Sequence, residues 1–212
     1  RKFLNASINN IHAVVGIPLR RAGTFGFSAQ FLGYKYYNET KIGIAYAREF
    51  GQKFSLGVQL DYLRFSVHEN GQLNLATVQL GLLYKPWKKF SLGAHIYNPI
   101  PYKVAGNILE RIPTIVKFGI GYEPHEKVLV TAEYEQDIYL KPRFKTGLEY
   151  RPLKLLSIRG GMHSNPFAAT FGFGLNVKSI RLDVAGGYHP VLGFTPHLSI
   201  TYQHIRKAAK KP

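Results

Sequence analysis

Lys53-Phe54-Ser55-Leu56-Gly57-Val58-Gln59-Leu60-Asp61-Tyr62 alternates without a break between large apolar side chains and small or polar ones. In an extended chain, Phe54, Leu56, Val58, Leu60 and Tyr62 share one face, while Ser55, Gly57, Gln59 and Asp61 share the other. A period of two over ten residues does not fit an amphipathic helix, whose apolar positions recur every three or four residues. The stretch is therefore a β-strand with one apolar face and one polar face. Its opening returns as Lys89-Phe90-Ser91-Leu92-Gly93, where Phe90, Leu92, Ala94 and Ile96 again oppose Ser91, Gly93, His95 and Tyr97.

The same period extends over most of the chain. Val128, Val130, Ala132 and Tyr134 oppose Thr131, Glu133 and Glu135; Phe167, Ala169, Phe171, Phe173 and Leu175 oppose Ala168, Thr170, Gly172 and Gly174. Strands are expected near 8–18, 23–34, 40–50, 53–67, 73–85, 89–97, 113–123, 127–138, 143–151, 154–163, 167–177, 180–189 and 196–205. These thirteen segments are longer than the usual ~5–6 residues of a soluble strand. The connections alternate between two kinds. Tight, basic turns such as Leu19-Arg20-Arg21, Lys85-Pro86-Trp87-Lys88-Lys89 and Arg151-Pro152-Leu153-Lys154 mark one end of the sheet. Variable loops, among them His68-Glu69-Asn70-Gly71-Gln72 and the long stretch from Asn98 to Ile112, mark the other. One turn kind at each end is the signature of an up-and-down antiparallel sheet.

Composition agrees with strands. The 212 residues include 21 Gly, 14 Tyr and 14 Phe but one Met, one Trp and no Cys. With 45% hydrophobic residues the chain is neither a disordered tail nor a disulfide scaffold. The 28 Lys+Arg against 12 Asp+Glu give +16, which alone would suggest a polyanion binder. Many of these cations lie in the tight turns and the tail, from Arg20 and Arg21 through Lys85, Lys88 and Lys89 to Lys207, Lys210 and Lys211. They form a collar, and no nucleic-acid partner is expected. No run of eighteen apolar residues exists, so no transmembrane helix is expected.

The polar face decides between a soluble sandwich and a membrane barrel. Asp61, His95, Glu133, Glu135, Lys145, Glu149, Arg159, Arg181 and Asp183 fall on it among Gly, Ala and Ser. A sandwich would pack the apolar faces together; a closed barrel turns them to lipid and encloses the charges of both signs as a lumen polar network. Tyr46, Tyr84, Trp87, Tyr122, Tyr150 and Tyr202 stand near the tight turns, as in the aromatic girdle at a membrane interface. The expectation is an all-β, antiparallel, up-and-down transmembrane β-barrel forming a single domain over 1–212, with basic turns facing the periplasm of a bacterial outer membrane. Both ends of a bacterial barrel normally lie on the periplasmic side, so thirteen strands predict a fourteenth in the complete protein, ahead of Arg1.

Enzymatic signals are weak. The histidines lack metal-ligand spacing, GxSxG is absent, and Ser91, His95 and Asp61 read more simply as interior polar groups than as a triad. No enzyme activity, metal or cofactor is expected. Gly119-Ile120-Gly121 and Gly172-Phe173-Gly174 lie within strands rather than between strand and helix, so they are not nucleotide fingerprints.

Several runs carry a family likeness: Lys41 to Ala47, Lys53 to Gly57, Leu92 to Pro99, Arg111 to Thr114, Arg181 to Ala185, and Tyr188-His189-Pro190-Val191-Leu192-Gly193-Phe194-Thr195-Pro196. Together they resemble the PorV/PorQ-type outer-membrane proteins of Bacteroidota, which are similar to FadL fatty-acid transporter barrels. The resemblance implies a fourteen-stranded barrel that is an accessory, partner-binding subunit of an outer-membrane machine, in type IX protein secretion or outer-membrane protein assembly. The Asn-Pro-Ala-Gly-rich opening typical of the family is not found in this sequence. Implied partners are outer-membrane lipids and other outer-membrane or periplasmic subunits. The candidate docking element is the apolar loop with Pro99, Ile100, Pro101, Tyr102, Val104, Ile108 and Leu109. The alternative is a FadL-like transporter of hydrophobic small molecules with a lipid or fatty-acid ligand; against it stands the expectation of a polar, filled lumen.

Overall fold

The computed structural model describes residues 9–19, 22–34, 37–67, 71–100, 112–190 and 193–204. All regular structure among them is extended. The strands are β1 (Asn9–Leu19), β2 (Gly23–Tyr34), β3 (Tyr37–Phe50), β4 (Phe54–Val67), β5 (Gly71–Trp87), β6 (Phe90–Tyr97) and β7 (Ile115–His125). They continue with β8 (Val128–Asp137), β9 (Arg143–Leu153), β10 (Leu156–His163), β11 (Ala168–Val177), β12 (Ile180–His189) and β13 (Gly193–Tyr202). A single sheet holds all thirteen in chain order, each antiparallel to the next. No crossover occurs among the described strands, which removes the Greek-key sandwich.

Register carries the sequence alternation across the sheet as continuous rows. Leu56, Leu82, Ala94, Phe118, Tyr134 and Phe144 pair in succession on one face. The row beside it, Gly57, Gly81, His95, Lys117, Glu135 and Arg143, lies on the other face. Among the described residues nothing packs on the apolar face: Phe118 is 55% exposed and Phe144 58%. The few buried groups, Asp61, Leu63, Thr77 and Ser157 among them, lie on the opposite, concave face. This is the lumen, and the fold is a barrel wall turned outward to hydrocarbon.

Two strands start three residues earlier than the alternation indicates. β3 begins at Tyr37, and β13 begins at Gly193, whose φ of 74 makes the turn from β12. Pro196 therefore lies inside β13, opposite Gly186. An edge strand tolerates a proline, whose missing N–H can face the unpaired side. The ring of Phe194 lies over Gly186, where a Cβ would collide with it. β1 and β13 are the sheet's two edges, and among the described residues no Cα of one comes within 8 Å of a Cα of the other. Both run in the same direction, so closure by antiparallel pairing needs one more strand between them. The expected fourteenth strand lies outside the described residues.

Candidate functional site

The lumen wall divides into three regions. On β7 to β9, towards the loop end, Glu135 receives Lys117 at 3.2 Å, Arg143 at 3.1 Å and Lys145 at 2.6 Å, while Lys145 also reaches Glu133 at 2.8 Å. Towards the tight-turn end, Glu149 pairs with Arg151 and Arg159, and Asp183 pairs with Arg159 at 2.5 Å and Arg181 at 2.9 Å. Arg159 reaches from β10 to β12 because β11 places Gly174 between them. A Cβ there would stand 2.5 Å from Asp183 Oδ1 and 3.1 Å from Arg159 Nη1. A belt of Gly121, Thr131, Gly147, Gly161, Thr170 and Gly187 separates the two clusters. Its small side chains leave open space above the wall, including a cavity of about 680 Å³ bordered by Glu149, Arg159 and Asp183. The filled lumen expected from the sequence is corrected for the described wall: among the described residues the ion pairs lie flat along it and the glycine belt hollows it.

β2 to β6 carry a different network. Asp61, 2% exposed, accepts hydrogen bonds from Gln59 Nε2 at 2.6 Å and Gln79 Nε2 at 2.5 Å. Gln79 Oε1 lies 2.9 Å from His95 Nε2, and Gln59 also reaches Ser28 Oγ at 3.3 Å. Gly43 makes room: a Cβ there would be 2.5 Å from Gln59 Nε2 and 2.6 Å from Ser28 Oγ. Thr77 Oγ1 and His95 Nδ1 are buried here without a hydrogen-bond partner among the described residues. Ser91 donates instead to the Gly121 carbonyl at 3.4 Å, and Gln79 separates His95 from Asp61. No Ser-His-Asp relay forms.

The third region is where the structure departs most from expectation. Above the Ile42–Tyr62–Ala76 row the wall inverts its polarity. Thr40, Arg64 and Asn74, then Asn38, Ser66 and Gln72, face outward, while Leu63, Leu75, Phe65 and Leu73 face inward. Leu32, Leu63, Phe65, Leu75, Ile112 and Pro113 line a lumen-side chamber of about 310 Å³, whose wall Gln30, Tyr37 and Glu39 complete with polar groups. Lys41 enters it with Nζ 5.8 Å from the Tyr97 ring centroid. Asn98 and Thr114 pin the returning loop, Asn98 Nδ2 donating to the Ile112 carbonyl at 3.1 Å and Thr114 Oγ1 to the Asn98 carbonyl at 2.7 Å. The all-polar lumen is corrected here too.

The inversion has a physical reason. Outward apolar residues on β4 run from Phe54 to Tyr62, about 26 Å of strand at ~3.3 Å per residue. At a tilt of about 40° that spans about 20 Å, near the ~25 Å apolar band of outer-membrane barrels. Beyond Tyr62 the strands stand in water, so the outside turns polar and the apolar side chains are buried within. A signal was present in the sequence: Asp61-Tyr62-Leu63-Arg64-Phe65 reverses the phase of the alternation.

The remaining candidate residues fall as follows. Tyr46, Tyr84, Trp87, Tyr122, Tyr150 and Tyr202 are near the tight-turn end; Tyr46 donates to the Ala22 carbonyl at 2.6 Å, and Trp87 lies 6.0 Å from Phe90 between ring centroids. Of the proposed docking loop, Ile100 is 72% exposed and Pro99 half-buried, whereas Pro101, Tyr102, Val104, Ile108 and Leu109 lie outside the described residues.

In fold this wall is similar to outer-membrane β-barrels of known structure. The Ralstonia pickettii toluene transporter TbuX superposes with a TM-score of 0.69 over 91% of this chain and 81% of its own, at 13% identity. A Pseudomonas aeruginosa FadL homologue superposes at 0.66 over 90% and 74%, at 9% identity. A Rhodopseudomonas blastica porin reaches 0.53 over 91% and 89%, also at 9% identity. No family model and no curated protein matches by sequence. The FadL side of the expected likeness is thus supported at the level of fold; PorV/PorQ, Bacteroidota and type IX secretion gain no support.

Proposed function

We propose that this chain is a bacterial outer-membrane barrel that captures hydrophobic small molecules at its loop end and admits them to its interior, with no enzymatic step. The loop end then faces the exterior and the basic turns face the periplasm. The observation that carries the reading is the inverted mouth, where Leu32, Leu63, Phe65 and Leu75 line a chamber of about 310 Å³ behind a polar outer surface. Such a volume is within the ~300–1,000 Å³ of small-molecule sites, and burying an apolar guest there removes both partners from water. The likeness in fold to a toluene transporter and a FadL homologue supports the same reading.

The test is uptake of radiolabelled toluene into proteoliposomes containing the full chain. Leu63→Asn combined with Phe65→Asn places two amides in the chamber and is expected to lower uptake about tenfold, the low end of what hydrophobic-pocket contacts discriminate. Leu60→Ala, on the outward face, is expected to leave uptake unchanged. Equal uptake by the chamber variant, with the barrel shown folded by its heat-dependent gel mobility, would overturn the reading.

A further inference from the structure

The outer wall is not evenly covered. A groove of about 630 Å³ runs over β3 to β7, with Leu56, Val58, Leu80 and Val116 in its walls. A second, of about 610 Å³, continues over β4 to β9. The two share Leu82, Ala94 and Phe118, and so form one depression. Its origin is side-chain size. Ala94 sits between Leu82 and Phe118 in one outward row, and Ala132 between Ile120 and Thr146 in the next. Small residues among Phe, Tyr and Leu leave a furrow wide enough for a hydrocarbon chain. Because the face is turned to hydrocarbon, an acyl chain is its natural occupant.

At the tight-turn end the furrow meets a charge. Arg48 pairs with Leu56 on the outward face and lines the groove. Its guanidinium lies 5.8 Å from the Phe50 ring centroid, so the side chain leans towards the tight turn. Among the described residues no carboxylate pairs with it. A cation on the lipid face costs least near the interface, and there it can bind a phosphate in fork geometry. The adjacent rim adds charge of the same sign: the Lys85 N–H donates to the Lys53 carbonyl at 2.8 Å, and Lys89 Nζ to the Pro124 carbonyl at 3.1 Å. Exposed Trp87 marks the headgroup level.

We infer that this furrow is a binding site for an anionic glycerophospholipid of the leaflet on the tight-turn side, with Arg48 holding the phosphodiester and an acyl chain lying over Ala94. A shallow groove without the cation would hold any lipid equally; the unpaired arginine at its end selects the headgroup. Arg64 provides an internal control. It is the outward arginine at the opposite end of the wall, and its Nη2 already donates to Gln72 Oε1 at 2.6 Å.

The full chain is reconstituted in nanodiscs of phosphatidylethanolamine and phosphatidylglycerol, stripped in mild detergent, and the retained lipid weighed by native mass spectrometry. The wild type is expected to keep phosphatidylglycerol over phosphatidylethanolamine. Arg48→Gln is expected to lower that retention at least fivefold, Ala94→Phe to lower it by filling the furrow with Arg48 intact, and Arg64→Gln to leave it unchanged. Retention unaffected by Arg48→Gln, an equal loss in Arg64→Gln, or equal retention of the zwitterionic lipid would each overturn the site. So would preferential retention of lipid A from discs that also contain it. Heat-dependent gel mobility shows that each variant is folded; Arg48 and Ala94 lie on the lipid-exposed face, and Arg64 on the outward face beyond it.

Discussion

The two halves of the lumen wall solve the same problem in opposite ways. On β7 to β12 every carboxylate in the two clusters has at least one cation, and three cations face two carboxylates in each. On β2 to β6 the buried carboxylate of Asp61 has none among the described residues and is held by two side-chain amides. Both halves use glycine to let the polar groups meet, Gly174 beneath Arg159 and Asp183, Gly43 beside Gln59 and Ser28. The lesson is that a wall residue's partner, more than its burial, decides what its removal does. A paired charge leaves an uncompensated partner behind, whereas an amide-held charge leaves groups that can reorient.

The largest effect is expected where most charges meet. Glu135→Gln removes the carboxylate on which Lys117, Arg143 and Lys145 converge. We expect a loss of about 2 kcal/mol, below the ~3–5 kcal/mol of a fully buried pair because water reaches the lumen. Urea unfolding of the reconstituted barrel measures it. A loss under about 0.5 kcal/mol would mean that the three cations are solvated as well without the carboxylate as with it.

Next in size is the glycine beneath the lower cluster. Gly174→Val drives a side chain into the Arg159–Asp183 contact and is expected to cost about 1–2 kcal/mol, the usual range for overpacking. Gly160→Val, one strand away and outward, meets nothing within 4 Å and is expected to change stability by less than about 0.5 kcal/mol. The pair separates steric exclusion in the lumen from a general intolerance of β-branched residues at glycine positions. Equal losses from the two substitutions would break that distinction.

The thirteen strands were legible because a period of two survives any local accident of composition, and because the turns alternate in kind. The ion pair Glu133–Lys145 was legible because a hairpin register places facing residues opposite one another, and Arg181–Asp183 because residues two apart on one strand share a face. The inverted mouth was not. Leu63 and Phe65 announce a phase change, but assigning them inward requires knowing that the strand keeps an unbroken register with β3 and β5 past Tyr62, which only pairing reveals. Arg48 was hidden differently: in sequence it is one more cation beside a basic turn, and only the register with Leu56 puts it on the lipid face.

The smallest effect is expected at Asp61, and it is the most direct test of the contrast between the halves. Asp61→Asn keeps one acceptor oxygen and replaces the other with an amide that faces a donor. The conflict can resolve locally. Gln59 turns its amide to present Oε1, and Ser28, which now accepts from Gln59 Nε2, rotates its hydroxyl to donate. Gln79 keeps its bond to the remaining oxygen and to His95. One unpaired buried charge disappears, which offsets the adjustment, so unfolding should shift by less than about 0.5 kcal/mol. A loss matching that of Glu135→Gln would show that Asp61 has a cationic partner after all, and the distinction between an ion-paired half and an amide-held half would fail.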